Sequence, residues 1–162
     1  MHAIGNEHDA LTILHWVRDH SVEYGKPYCV EQESAPYGWK FIGTGSFRSV
    51  WLSPEGVAYK VTHTDWDDQS VDEVNNLKRA WEREVPDRCR LPRFADFCLG
   101  DEIVVAVEFI KGRVLNEYRG EGKNGYYSLM HEIEKYYKLY DMHDENVMID
   151  EDGYLVPVDF GG

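Results

Sequence analysis

Cysteine is scarce in this sequence. Its 162 residues include only Cys29, Cys89 and Cys98, and no two of these form a CxxC pair. An odd number of unevenly spaced cysteines predicts neither a disulfide framework nor a structural zinc site, and is typical of a reducing compartment. The seven histidines are scattered, and none belongs to an HExxH zinc motif.

Long apolar runs are also lacking. No stretch approaches the roughly 18 consecutive apolar residues that a membrane helix needs. Glu7, His8 and Asp9 precede the first apolar run, which is unlike the positively charged start of a signal peptide. These absences predict a cytoplasmic protein that has no membrane partner.

Basic residues are few relative to acidic ones. Seventeen lysines and arginines stand against 30 aspartates and glutamates, for a formal net charge of -13. Such a charge repels phosphate backbones, so we expect no nucleic-acid partner. It favours solubility and leaves two interpretations open: a solvated acidic surface, or a surface for a basic protein partner.

The apolar content, 43% of the residues, is enough for one domain with a real core, and two lobes fit this length. Residues 8–20 carry apolar side chains at helical spacing, and residues 21–37 resemble a connecting arm. Strand patterns follow from Trp39, with a turn signal at Pro54–Gly56. A helix is predicted next, with Val71, Val74, Leu77 and Trp81 on one face. A hairpin of strands 93–99 and 102–110 follows, and its apolar run at 103–107 predicts a strand that is covered on both faces. The last predicted elements are a loop at 120–125, a helix at 126–139, and two short strands around Asp152-Gly153.

The most informative motif lies near the carboxyl end of the sequence. Asn146 follows Asp141 by five residues, and Asp159, in a Val-Asp-Phe-Gly run, follows Asn146 by thirteen. An Asp, an Asn five residues later, a short hairpin and Asp-Phe-Gly resemble the layout of a kinase catalytic centre. Asp144 has the wrong distance to Asn146 for the role of Asp141. The alternative is that all three residues are ordinary turn and cap residues.

An earlier segment, Gly43-Thr44-Gly45-Ser46-Phe47-Arg48-Ser49-Val50, resembles the kinase glycine-rich loop. Gly43 and Gly45 would let backbone amides approach phosphates, and Val50 would cover the adenine ring. Arg48 replaces the third glycine, and it would either point at a phosphate or block close approach. Gly-x-Gly also occurs in ordinary hairpins.

Three further parts follow in the kinase order. Lys60, in Ala58-Tyr59-Lys60, resembles the strand lysine that holds phosphates. Glu73 is the candidate for its helix partner, with Glu82 as the fallback, but Ser70 to Glu73 also reads as a helix capping box. Backbone groups of Glu108 to Ile110 resemble the hinge that binds the adenine edge, with Val107 guarding the pocket behind it.

Together these residues resemble the protein-kinase-like superfamily over residues 38–162. The Asp-x-His-x-x-Asn form is similar to aminoglycoside and choline kinases, and Asp141 to Met148 is most similar to the early protein kinases of lytic coliphages. The resemblance implies an α+β kinase-like fold: an N-terminal helix and arm at 1–37, a five-stranded antiparallel N-lobe with one helix at 38–110, and an abbreviated C-lobe at 111–162. It also implies ATP and Mg²⁺ as cofactors.

The resemblance further implies the roles of the site residues. Asp141 would be the catalytic base, Lys60 would hold phosphates, and Asn146 and Asp159 would bind the metal. We expect a serine/threonine protein kinase that acts on itself or on host proteins, in the host cytoplasm if it is phage-encoded.

The sequence ends directly after Asp159-Phe160-Gly161-Gly162, with no activation segment and no Ala-Pro-Glu motif. We therefore expect a minimal kinase, a fragment, or a protein that has lost catalysis. Two alternatives to a protein kinase stay open. One is a pseudokinase that serves as an acidic binding or inhibitor module for a host protein, and the other is a small-molecule kinase.

Overall fold

Antiparallel strands and helices give the chain an α+β fold. The structure, a computed structural model, describes residues 3–20, 35–44, 48–62, 68–139 and 142–159. The chain forms two compact units. The first unit consists of Met1–Val71 and Arg93–Phe109, and the second consists of Asp72–Pro92 and Ile110–Gly162. Each unit has its own antiparallel sheet. No helix within the described ranges is both long enough and apolar enough to cross a membrane.

The first unit contains a five-stranded antiparallel sheet, as the sequence predicts. Its strands pair in the order β1-β2-β3-β5-β4. Their bounds are β1 Lys40–Thr44, β2 Arg48–Leu52, β3 Val57–Thr62, β4 Phe94–Leu99 and β5 Glu102–Glu108. The predicted turn at Pro54–Gly56 is confirmed, since Gly56 has φ 86° and its N–H donates to Ser53 O at 2.9 Å. Val104–Val107 of β5 are buried, as their apolar run predicts.

Helix α1, Glu7–His20, packs on this sheet, and its position confirms the amphipathic pattern of residues 8–20. Arg18 ties the end of α1 to the sheet, because it donates to Thr62 O at 2.6 Å and forms an ion pair with Glu102. The helix and the sheet share one buried apolar cluster, which consists of Ala10, Ile13, Leu14, Val17, Trp51, Val57, Tyr59, Val61, Val104 and Ala106.

Helix α2, Asp68–Trp81, follows β3, and its buried face differs from the predicted one. Val71 is 40% exposed, so its assignment to the apolar face is wrong. The actual face repeats at intervals of three or four residues and includes two polar side chains. Its buried members are Ser70, Glu73, Val74, Leu77 and Ala80.

The second unit contains a three-stranded sheet in the order β6-β7-β8 and helix α3, Lys123–Tyr137. Its strands are β6 Gly112–Val114, β7 Val147–Asp150 and β8 Leu155–Pro157. The two predicted strands around Asp152-Gly153 are therefore confirmed. The predicted loop at 120–125 is wrong in its second half, because α3 already begins at Lys123.

Strand β6 was not predicted from the sequence. It is three residues long and two of them are exposed, so it carries no alternating apolar pattern. Gly112 allows its close approach to β7, because a Cβ at this position would lie 2.0 Å from Ile149 O.

Candidate functional site

Lys60 lies in the middle of the five-stranded sheet. It pairs directly with Val50 of β2 and with Val105 of β5, and Val50 pairs in turn with Gly43 of β1. Directly opposite residues in neighbouring strands present their side chains on the same face, with Cβ atoms about 5 Å apart. One row across three strands therefore contains Gly43, Val50 and Lys60. Two different sequence motifs predicted that these residues bind nucleotide.

This row lies on the face of the sheet that α1 does not cover. Successive side chains of a strand alternate between faces. Val57, Tyr59 and Val61 belong to the cluster under α1, so Lys60 points to the opposite face. It is half-buried, while the other five residues of β3 are buried. The Lys60 side chain therefore lies on the face of the sheet opposite α1.

Gly43 leaves open space above its backbone. A Cβ built at this position would meet no atom of the described residues within 4 Å. Close packing against the protein therefore does not require a glycine here, whereas close approach of a ligand to the backbone would use one. Gly45, the second glycine predicted to bind phosphate, lies outside the described residues.

Arg48, for which the sequence suggested two roles at the loop, contacts helix α2. Its side chain is 7% exposed, and its Nη1 donates to the buried hydroxyl of Ser70 at 3.3 Å. The guanidinium is therefore directed at the first turns of α2. Sequence analysis missed this contact because the two residues lie 22 positions apart.

Glu73 is fully buried in the interior of α2, with 0% exposure. The capping-box interpretation is wrong, because α2 already begins at Asp68 and Ser70 is its third residue. The Ser70 hydroxyl accepts a hydrogen bond from Arg48. The fallback residue, Glu82, follows the end of the helix and is exposed. A carboxylate as buried as Glu73 costs several kcal/mol unless cations or donors compensate it, so Glu73 is the better candidate for a structural ion pair.

The predicted hinge begins where β5 ends. Glu108 N–H donates to Arg93 O at 2.9 Å, and Glu108 Oε1 accepts from Arg93 N at 3.2 Å. Phe109 is 42% exposed, and Ile110 is 4% exposed. Val107, the predicted pocket residue, is buried and pairs with Ala58. Among the residues that the sequence assigned to adenine binding, Glu108 thus still belongs to the sheet, and the backbone leaves it after Glu108.

Asn146 and Asp159 leave the same end of the β7–β8 hairpin in the second unit. Val158 N–H donates to Asn146 O at 2.9 Å, which extends the ladder beyond the Val147–Pro157 pair. Val158, the residue before Asp159, is therefore fixed beside Asn146. Asp159 is exposed and Asn146 is half-buried.

The chemistry of these two residues suits magnesium. A side-chain amide oxygen and a carboxylate are hard donors, and Mg²⁺ in nucleotide sites takes one or two protein ligands together with phosphates and water. Within the part of the chain that the structure describes, no group of three or more His, Cys, Asp and Glu residues gathers to hold a metal. Asp141, the predicted base, lies outside the described residues.

The opposite end of this hairpin is held by Asp150, which sequence analysis missed. Its Oδ1 accepts from the N–H groups of Asp152 and Tyr154 at 2.9 and 2.8 Å, and its Oδ2 accepts from Arg90 Nε at 2.7 Å. Burial raises the pKa of the Asp150 carboxyl, but the hydrogen bonds outweigh burial, so this pKa lies below its usual value. An Asp at the first position of a turn was the available signal.

Asp150→Asn is expected to lower the free energy of unfolding by about 1–3 kcal/mol at pH 7, because the charge-assisted bond to Arg90 is lost. The wild-type carboxylate, with its lowered folded-state pKa, stabilises the protein above the unfolded-state pKa of about 4. This contribution disappears as the pH falls through the folded-state pKa. Urea unfolding should therefore show a difference between the two proteins that is large at neutral pH and shrinks below about pH 4.

The matched control for this measurement is Asp152→Asn, which changes an exposed carboxyl in the same turn. It should stay within about 0.5 kcal/mol of the wild type. A difference between Asp150→Asn and the wild type that is constant from neutral to acidic pH would refute the role of the Asp150 charge.

The structure thus gathers the predicted residues in two groups. Gly43, Val50 and Lys60 share a row in the first unit, and Asn146 and Asp159 share a hairpin end in the second. No model of a known protein family matches this chain, and a search of curated proteins finds no match. Its function is therefore inferred from its own residues.

Proposed function

We propose that this protein is an ATP- and Mg²⁺-dependent phosphotransferase of the protein-kinase-like type, which phosphorylates protein hydroxyl groups. The observation that supports it best is the hairpin end that carries Asn146 and Asp159. The Val158–Asn146 hydrogen bond fixes the residue before Asp159 beside Asn146, although Asp159 follows Asn146 by thirteen positions in sequence. A catalytic kinase hairpin needs these two residue types at this spacing.

Asn146 and Asp159 would hold the metal in this proposal. A bound magnesium ion offsets the negative charge of the β- and γ-phosphates. Asp141, five residues before Asn146, would orient the acceptor hydroxyl and accept its proton. The acceptor oxygen then forms a bond to the γ-phosphorus as the bond from that phosphorus to the ADP oxygen breaks.

Lys60 would bind the phosphates from the sheet. Its ammonium would donate to phosphate oxygens, and Val50 beside it would contact the adenine ring. Open space above Gly43 supports close approach of the nucleotide to this strand. Backbone groups from Glu108 to Ile110 would bind the adenine edge. Glu73 would pair with Lys60, since a cation can compensate a buried carboxylate.

The order of elements supports the kinase-like assignment. The helix α2 follows the third strand of a five-stranded antiparallel sheet, and α3 precedes the hairpin that carries Asn146 and Asp159. The resemblance of the run from Asp141 to Met148 is the basis for proposing a phage-type protein kinase that acts on itself or on host proteins.

A second candidate function is a pseudokinase that binds a host protein through its acidic surface. The buried Arg48 favours it, because the third glycine of the loop is replaced by a side chain committed to α2. The net charge of -13 also favours a basic partner. Unlike the first candidate, a pseudokinase would not transfer phosphate.

A thermal shift combined with a transfer assay separates these functions. ATP with Mg²⁺ at 100 times its dissociation constant is expected to add about 2.7 kcal/mol of stability, or roughly 5–10 °C in Tm for a chain of this size. The control is ATP with EDTA, which should give a smaller shift. Transfer of the labelled γ-phosphate to the protein itself or to a host lysate is measured in parallel.

Stabilisation with transfer supports the kinase. Stabilisation without transfer to either acceptor supports the pseudokinase. If ATP and Mg²⁺ do not stabilise the protein at all, nucleotide binding is refuted. The second candidate is then reduced to a module that binds a host protein through its acidic surface.

A further inference from the structure

Tyr127 of α3 binds the turn that precedes Asn146. Its hydroxyl donates to Asp144 Oδ2 at 2.6 Å. Asp144 is also held by its backbone, because its carbonyl oxygen accepts from Asn116 N–H at 3.1 Å. The turn is thus anchored at one residue by a helix on one side and by the 3₁₀ segment Leu115–Glu117 on the other.

A chain of hydrogen bonds continues from this anchor to the candidate metal ligands. Asn146 N–H donates to His143 O at 2.9 Å, which closes the turn around Asp144. Asn146 O then accepts from Val158 N–H, next to Asp159. The helix end of this chain is firmly packed, since Leu129, Met130 and Ile133 of α3 are buried. A shift of the Asp144 turn would therefore move Asn146.

We propose that Tyr127 is a positioning residue, whose hydrogen bond to Asp144 fixes the turn so that the Asn146 side chain is set for the metal–nucleotide complex. This inference rests on the proposed function. Groups that orient metal ligands without touching the metal typically contribute 10- to 100-fold to metal affinity or activity.

The donor state of Tyr127 agrees with this role. The hydrogen bond to the Asp144 carboxylate raises the pKa of the Tyr127 hydroxyl, which favours the protonated, donating form further. Asp144 itself had no role in the sequence analysis beyond its unsuitable distance to Asn146. The contact joins residues 17 positions apart, and no local pattern in the sequence announces it.

The neighbouring tyrosine provides a matched control. Tyr126 also donates its hydroxyl to the hairpin region, but to Gly153 O, at 2.8 Å, in the turn at the opposite end. Tyr126→Phe and Tyr127→Phe each remove one hydroxyl hydrogen bond from the same helix. Only Tyr127→Phe removes a bond near Asn146.

Two measurements that need no turnover test the inference. The first is the Mg²⁺ concentration for half-maximal thermal stabilisation at a fixed ATP concentration. We expect Tyr127→Phe to raise it about tenfold and Tyr126→Phe to leave it within about twofold. The second is hydrogen exchange of the amides from 142 to 147 without ligand, which should become faster in Tyr127→Phe only.

Kinetics add a third readout. At saturating Mg²⁺, Tyr127→Phe should lower kcat about tenfold while KM for ATP stays within about twofold, because the nucleotide contacts of Lys60 are unchanged. Asp144→Ala should raise the Mg²⁺ midpoint similarly, and the double variant should add nothing further, since both changes break the same hydrogen bond. If Tyr127→Phe does not fold, the Mg²⁺ midpoint of Asp144→Ala is compared with that of Tyr126→Phe instead.

The outcomes separate this inference from the proposed function. If the wild type responds to ATP and Mg²⁺ but Tyr127→Phe and Tyr126→Phe have equal Mg²⁺ midpoints, the positioning role is refuted and the proposed function stands. Additive effects of Tyr127→Phe and Asp144→Ala would refute it as well. If the wild type is not stabilised by ATP and Mg²⁺, the proposed function fails, and this inference fails with it.

Discussion

Replacing Asp159 by alanine is expected to lower the rate of phosphate transfer from ATP at least about a hundredfold, because a metal ion supplies several kcal/mol of charge stabilisation in the transition state. Asp159 is exposed at the end of the hairpin, where an alanine leaves no cavity. The free energy of unfolding should therefore stay within about 0.5 kcal/mol of the wild type. Initial rates with labelled ATP and urea unfolding measure the two quantities.

The control for Asp159→Ala is Glu151→Ala. Glu151 is an exposed carboxylate in the turn at the other end of the same hairpin, so it tests the loss of a negative charge without loss of a metal ligand. Transfer by this variant should stay within about twofold of the wild type. Undiminished transfer by folded Asp159→Ala would reject the assignment of Asp159 to the metal.

Lys60→Met is expected to lower kcat/KM for ATP by about 10²- to 10³-fold, the typical effect of removing one donor aimed at developing charge. Methionine keeps most of the aliphatic stem, so the row of Gly43, Val50 and Lys60 on the sheet should persist. Lys40→Met, at an exposed position of β1 in the same sheet, is the control and should have little effect. Equal kcat/KM values for these two variants would contradict the role of Lys60.

The same variant tests the proposed pairing of Lys60 with Glu73. Combined with Glu73→Gln in a double-mutant cycle of unfolding free energies, Lys60→Met should show a coupling of about 0.5–3 kcal/mol. If the two effects on the unfolding free energy simply add, Lys60 is not the partner of the buried Glu73 carboxylate.

Local patterns were sufficient to predict most of the fold. The amphipathic spacing in residues 8–20 corresponds to α1, and the turn residues Pro54–Gly56 join β2 to β3. Short-range rules work for these elements because a helix face or a turn is decided by residues only a few positions apart. Placing Gly43, Val50 and Lys60 in one row required the strand register in addition, which local sequence patterns do not give.

Predictions failed where tertiary contacts override the local pattern. Hydropathy favoured Val71 over Glu73 for the buried face of α2, but Val71 is exposed and Glu73 is buried. Arg48 stands where the kinase loop pattern has its third glycine. Its hydrogen bond to Ser70 is visible only in the folded structure. A buried polar residue depends on partners that are distant in sequence, so propensity and periodicity do not identify it.

The hairpin of the candidate site shows the same division. The spacing of Asn146 and Asp159 was visible in the sequence. The groups that hold the hairpin, Arg90 on Asp150 and Tyr127 on Asp144, are 60 and 17 positions from their partners. Candidate ligand residues can therefore be proposed from spacing, whereas their contacts with residues distant in sequence require coordinates.

The most direct measurement of the central claim is a crystal structure of the protein with Mg²⁺ and a nonhydrolysable ATP analogue. We expect oxygens of Asn146 and Asp159 at about 2.1 Å from Mg²⁺, and Lys60 Nζ at about 2.8 Å from a phosphate oxygen. A nucleotide bound away from Lys60, or a metal held by residues other than Asn146 and Asp159, would contradict it.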